Sequence, residues 1–136
     1  MKTKPEVLTE KQTIQEALRS KYGNRKVNTV TGVAKRLLWL LSDKSRWVKR
    51  TYGTEPDATR CCVIGGIKQI DGACERIAAS RIEEMRPLGY NSIEGFNDSP
   101  RTTHEVIKSF LNFAVKHISK GNPPRFEYPK KKNKKK

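Results

Sequence analysis

The sequence predicts a mainly α fold, one small single-domain helical bundle with room for a short β segment near residues 46–52. Three observations carry that prediction. Apolar residues recur at i, i+3, i+4 and i+7 through residues 30–41 and 106–118, the spacing that lines one side of a helix. Start and stop signals bracket two of the helices, Thr9 with Gly23 and Thr102 with Gly121, as capping chemistry requires. Finally, 136 residues with 35% apolar and 32% charged side chains support one modest core with unpacked chain outside it. The expected plan is a basic N-terminal arm over 1–28, a helical core over 29–121 and a disordered Pro/Lys-rich tail over 122–136.

In chain order, Thr9 and Gln12 make a capping box for a short helix lined by Ile14, Ala17, Leu18 and Tyr22 and closed by Gly23-Asn24. A helix this short persists only if docked. Val30, Val33, Ala34, Leu37, Leu38 and Leu41 mark a stronger one, with Lys35, Arg36 and Trp39 on its other face. Packing under the next loop is the plainer role for Trp39; the alternative is stacking on a base while the two cations meet phosphates. After a turn at 42–45, the segment Arg46–Tyr52 reads equally as a strand or a helical turn. Helix, turn and basic segment is the order of a helix-turn-helix, but no apolar stripe marks a recognition helix.

The apolar run Cys61–Ile67 reads as a short buried helix, with a strand as the alternative. Its Gly65-Gly66 pair lacks the spacing and the Lys-Ser/Thr of a phosphate loop and is expected to admit a close neighbour. Cys74, Ile77, Ala78, Ile82 and Met85 mark the inner face of a helix over 73–86, stopped by Pro87 and Gly89. Arg81 lies on that face, where snorkelling outward is expected, with a specific acceptor as the alternative. A loop with Asn97 and Asp98 then leads to the last helix, whose capping box is Thr102 with Glu105. Its apolar stripe is Val106, Ile107, Phe110, Leu111, Phe113, Ala114 and Ile118; Lys108, Asn112, Lys116 and Lys120 form its wet face.

No apolar run approaches the roughly 18 residues of a membrane span, and the polar start is unlike a signal peptide. A cytoplasmic location is expected, and the three cysteines, an odd number with two adjacent, fit it. Neither Cys61, Cys62 and Cys74 nor His104 and His117 show zinc-ligand spacing, so no metal or other cofactor is expected. The net charge of +15 is unevenly placed. Residues 1–53 carry +9, residues 54–129 carry none and the last seven residues carry +6. A neutral body with a basic front and tail points to a polyanionic partner, nucleic acid before membrane.

Cys62-Val63-Ile64-Gly65-Gly66-Ile67, then Ile93-Glu94-Gly95-Phe96-Asn97-Asp98, then Thr102-Thr103-His104-Glu105-Val106 form a recognisable series. Over roughly residues 30–118 it resembles a family of small bacterial and phage proteins of unknown function. That family shows a Cys-Ala-Leu-Gly-Ala-like run, an Ile-x-x-Trp-Asn-Asp loop and a Thr-x-x-Glu-Val helix start. Phe96 stands where Trp is usual there, and Gly66 where Ala is usual. The resemblance implies a small, mainly helical single domain in a bacterial or phage setting, and it supplies no activity to carry over.

The expected function is therefore a non-enzymatic accessory protein that contacts nucleic-acid phosphates without choosing sequence. Lys35, Arg36, Trp39, Lys44, Arg46, Lys49 and Arg50 would supply its folded surface, and Lys130, Lys131, Lys132, Lys134, Lys135 and Lys136 a tether. A protein–protein module, such as a phage inhibitor of a host complex, is the alternative. Enzyme function is not expected, because no clustered catalytic set or cofactor fingerprint is present. Asn97 and Asp98 are read as structuring their loop through Asx-type bonds, with a ligand site shared with His104 as the alternative.

Overall fold

The structure is a computed structural model that describes residues 12–70 and 74–127. Six α-helices appear among the described residues: α1 (Ile14–Tyr22), α2 (Val30–Leu41), α3 (Val63–Gln69), α4 (Glu75–Glu84), α5 (Ile93–Asp98) and α6 (His104–His117). Together they form a small, mainly α-helical single-domain bundle, as the periodicity predicts. The organising element is α2, which packs against α1, α3, α4 and α6. Val33, Ala34, Leu37, Leu40 and Leu41 on it are buried, whereas Val30 and Leu38 are only partly covered.

The first helix is core and not arm. Its cap is Thr13, not Thr9, which lies outside the described residues. Thr13 Oγ1 accepts from Glu16 N at 3.0 Å while Glu16 Oε1 accepts from Thr13 N at 2.9 Å, a complete capping box. Ile14, Ala17 and Leu18 are buried, and Ile14 N donates to Ala58 O at 2.8 Å. The expected boundary at residue 28 therefore does not divide the packing.

Between α2 and α3 the chain makes a 3-10 turn at Lys44–Arg46 and then runs extended. Beyond Arg46, residues 47–52 are neither strand nor helix: Trp47 forms one isolated parallel bridge with Cys61. The pairing cannot propagate because Arg50 turns the chain in the left-handed region, at φ 66°. The glycine pair of α3 does admit close neighbours. A Cβ on Gly65 would collide with the Tyr52 carbonyl, and one on Gly66 with the Leu37 side chain.

Ala78, Ile82 and Met85 face inward from α4 and its end, but Ile77 is 51% exposed, contrary to its expected place in the core. Arg81 does not snorkel. Its Nη1 donates to Ile118 O at 2.9 Å, supplying a cation and a donor at the carbonyl end of α6. Residues 93–98 are helix and not loop, capped by Ser92, whose Oγ accepts from Gly95 N at 3.0 Å. The N-cap of α6 is Thr103, one residue beyond the expected box, with Oγ1 accepting from Val106 N at 3.3 Å. Ile107, Phe110, Leu111, Ala114 and Ile118 are buried as their stripe requires.

The start of the expected tail is docked. Phe126 is buried in the core, its ring centroid 5.4 Å from both Phe110 and Phe113. Phe126 N donates to Met85 O at 2.8 Å, and Arg125 Nε to Arg86 O at 2.8 Å. Residues 123–127 thus tie the end of α4 to Phe110 and Phe113 of α6. The lysines of 130–136 lie outside the described residues.

Candidate functional site

Three separate stretches of chain, at 47–48, 63 and 97–98, meet at Asn97. This side chain is fully buried, and its amide spends both ends on distant chain. Oδ1 accepts from Trp47 Nε1 at 2.8 Å and from Val63 N at 3.2 Å. Nδ2 donates to Val48 O at 3.2 Å and to Asp98 Oδ1 at 2.9 Å. Asp98 Oδ1 also accepts from Arg50 N at 2.8 Å. The pair therefore does not structure a local Asx turn. From the end of α5 it joins the extended segment 47–50 to the N-terminus of α3, where a free amide needs an acceptor.

His104 is engaged elsewhere. Its Nε2 lies 2.7 Å from Leu41 O; a carbonyl only accepts, so this nitrogen carries the proton and donates to the end of α2. Its ring centroid is 5.9 Å from that of Trp47, so Trp47 links His104 to Asn97 in one packed group.

Beside this hub a small recess of about 40 Å³ is lined by Arg50, Thr51, Tyr52, Cys62, Glu94 and Asp98. Tyr52 Oη donates to Glu94 Oε1 at 2.7 Å, and that bond, with the carboxylate charge, raises the phenol's pKa. Cys62 caps α3, its Sγ accepting from Gly65 N at 3.4 Å. Burial raises the Cys62 pKa more than the Gly65 and Ile64 amides lower it, and Asp98 and Glu94 push the same way as burial. Cys61, deeper still, is pushed up to about 12 by burial. Both thiols stay protonated at neutral pH and are poor nucleophiles there. Among the described residues no three His, Cys, Asp or Glu side chains gather to hold a metal ion.

Arg50 holds its left-handed conformation against an intrinsic cost, which the bond to Asp98 helps to meet. Arg50→Gly should accordingly stabilise the fold by up to about 1 kcal/mol, after the greater freedom glycine gives the unfolded chain is subtracted. Chemical denaturation of that variant beside Arg50→Asn, which removes the same charge, is the check. A loss of stability in the glycine variant would contradict the strain.

The expected phosphate-contacting residues divide into two groups. Lys35, Lys44 and Arg50 are exposed. Arg36, Trp39, Arg46 and Lys49 are partly buried and knit the surface together. The Arg36 guanidinium lies 4.4 Å from the Tyr22 ring centroid, and Tyr22 meets Trp39 edge-on at 5.7 Å. Arg46 and Lys21 sit over the Trp39 ring at 5.3 and 5.8 Å, so cation–π contacts occupy the indole. Lys49 Nζ donates to Ser99 O at 2.8 Å. Trp39 packs among these side chains, and Arg46 from the turn that follows α2 covers its ring, as the plainer reading expects. Trp47, Tyr52 and Glu94, absent from the expected site, are placed in it by tertiary contact. Only the Trp47 indole, which needs an acceptor when buried, gave a sequence signal.

No helix among the described residues is long and apolar enough to cross a membrane. Comparison of the chain with protein-family models, curated proteins and solved structures returned no match.

Proposed function

We propose that this protein is a small non-enzymatic accessory protein that binds nucleic acid through its phosphate backbone, without sequence choice. The charge distribution carries this reading: +9 in residues 1–53, zero in 54–129 and +6 in 130–136. Lys35, Lys44 and Arg50 offer exposed cations on the basic half. The Trp39 ring, already covered by Lys21 and Arg46, is not offered to a base, which favours phosphate contact over stacking. The motif resemblance supports a bacterial or phage setting. The protonated, capping Cys62 and the structural engagement of Asn97, Asp98 and His104 support a non-catalytic role.

Binding to duplex DNA measured at several salt concentrations tests the reading. Deleting Lys130 to Lys136 should weaken binding equally on unrelated sequences. The slope of log affinity against log salt should flatten by up to about 5, at roughly 0.9 per phosphate neutralised. An unchanged slope removes the tail from the interface, and no binding at low salt removes the reading.

Exposed Ile77 and Leu88, 51% and 77% accessible, favour a second reading, a protein partner. Affinity purification with and without nuclease separates the two: partners lost on nuclease treatment support nucleic acid, and resistant ones a protein complex.

A further inference from the structure

Between the end of α1, the turn after it and α2 lies a cleft of about 180 Å³. Four cationic side chains, Arg19, Arg25, Lys26 and Arg36, line it, and none of its described lining residues is acidic. One water requires roughly 10–15 Å³ of such space, so the cleft has room for a phosphate group and the first atoms attached to it.

The floor is built and neutral. Gln15 Nε2 donates to Gln69 O at 2.7 Å and to Gln69 Oε1 at 2.6 Å. Gln69 Nε2 in turn donates to Gly53 O at 2.8 Å and to Glu55 O at 2.9 Å. Charge is thus confined to the walls. Arg36 is oriented by two contacts: its guanidinium lies over Tyr22, and its Nη1 donates to Arg25 O at 3.1 Å. Holding a guanidinium in place lowers the ordering cost of recruiting it. The carbonyl end of α1 disfavours an anion, but Arg19 and Lys21 in its last turn oppose that field.

We propose that this cleft is a discrete site for one phosphate group, supplied by a nucleic-acid strand. Three planar guanidinium forks around one recess match a tetrahedral group with several charged oxygens. The inference rests on the nucleic-acid reading for the source of the phosphate, and not for the existence of the site. It differs from the expected action of a lysine tail in being saturable by a small anion.

The test follows the arginine Nε–Hε signals of the full chain by NMR during titration with inorganic phosphate at constant ionic strength, with chloride as control. The Arg36 signal should shift to saturation as one site. Arg19→Gln/Arg25→Gln should weaken binding by about tenfold or more, with Arg19→Gln alone as the milder variant and Lys116→Gln, on the exposed face of α6, without effect. No saturable shift, or equal affinity in wild type and the double variant, overturns the site. If that variant fails to fold, the single variant decides on the same criterion. Duplex DNA should then displace the phosphate. Saturable phosphate binding that DNA does not displace keeps the site, overturns the assigned source and identifies a free phosphate compound as the ligand. DNA binding that persists without any phosphate site leaves the functional reading standing and removes this inference.

Discussion

Phe110→Ala should destabilise the fold by on the order of 3–5 kcal/mol, the range for emptying a buried aromatic position. Phe110 is fully buried at the centre of the α6 stripe. Its ring centroid lies 5.3 Å from that of Phe96 and 5.4 Å from that of Phe126. The substitution therefore removes contacts from α5, α6 and the C-terminal strap together, and the site can collapse little without moving all three. Domains of this kind are typically stable by about 5–15 kcal/mol, so much of the variant would be unfolded near room temperature if the parent lies at the low end. The control is Lys108→Ala. Its ammonium makes a 3.9 Å pair with Glu105, whose side chain is 83% exposed, and loss of such a pair should change stability by no more than about 0.5 kcal/mol. Denaturation midpoints that shift alike in the two variants would mean that the helix face has been misassigned.

Asn97→Ala should cost about 2–5 kcal/mol by a different mechanism. It removes the acceptor shared by the Trp47 indole N–H and the Val63 amide, and each buried donor left unsatisfied costs about 1–3 kcal/mol. It also unties Val48 from the end of α5. Tryptophan fluorescence should report the change near Trp47 along with the unfolding midpoint. Asn97→Asp probes the donor half, because it keeps the volume and one acceptor but sets a second carboxylate against Asp98. Burial and that neighbour would raise the introduced carboxyl's pKa in the folded state above its unfolded value. Stability would then be fullest below the unfolded value and would fall as pH rises through the folded one. A variant as stable as the parent at neutral pH, with no gain on acidification, would contradict the network.

These two residues mark the difference between what was legible in the chain and what was not. Phe110 could be placed in the core from its spacing to Ile107, Leu111 and Ala114 alone, because a helix converts sequence separation directly into a face. Asn97 could be singled out beside Asp98, but its other partners lie 34 to 50 residues away, and nothing local names them. Residues 93–98 carry no helix signal in the sequence because six residues cover less than two turns and include Gly95, Asn97 and Asp98, all weak helix formers. Tertiary packing of Ile93 and Phe96, both fully buried, overrides that preference. The cap of α6 lies one residue beyond the expected Thr102 because Thr102 and Thr103 offer the same hydroxyl. Burial of Thr102 leaves Thr103 as the cap.

The sequence by itself determined the mainly helical class, the bounds of α2, the inner face of α6, the need for small residues in α3 and the uneven charge. All of these rest on composition or on interactions within a few residues. Only the tertiary structure decided that α1 joins the core, that Arg81 meets the end of α6, that residues 123–127 strap the bundle, and that Arg19, Arg25 and Arg36 share one cleft. Gln15 and Gln69, 54 residues apart, form the floor of that cleft. Such meetings are set by how the helices cross, and crossing is chosen by the packing of the whole set of side chains around α2.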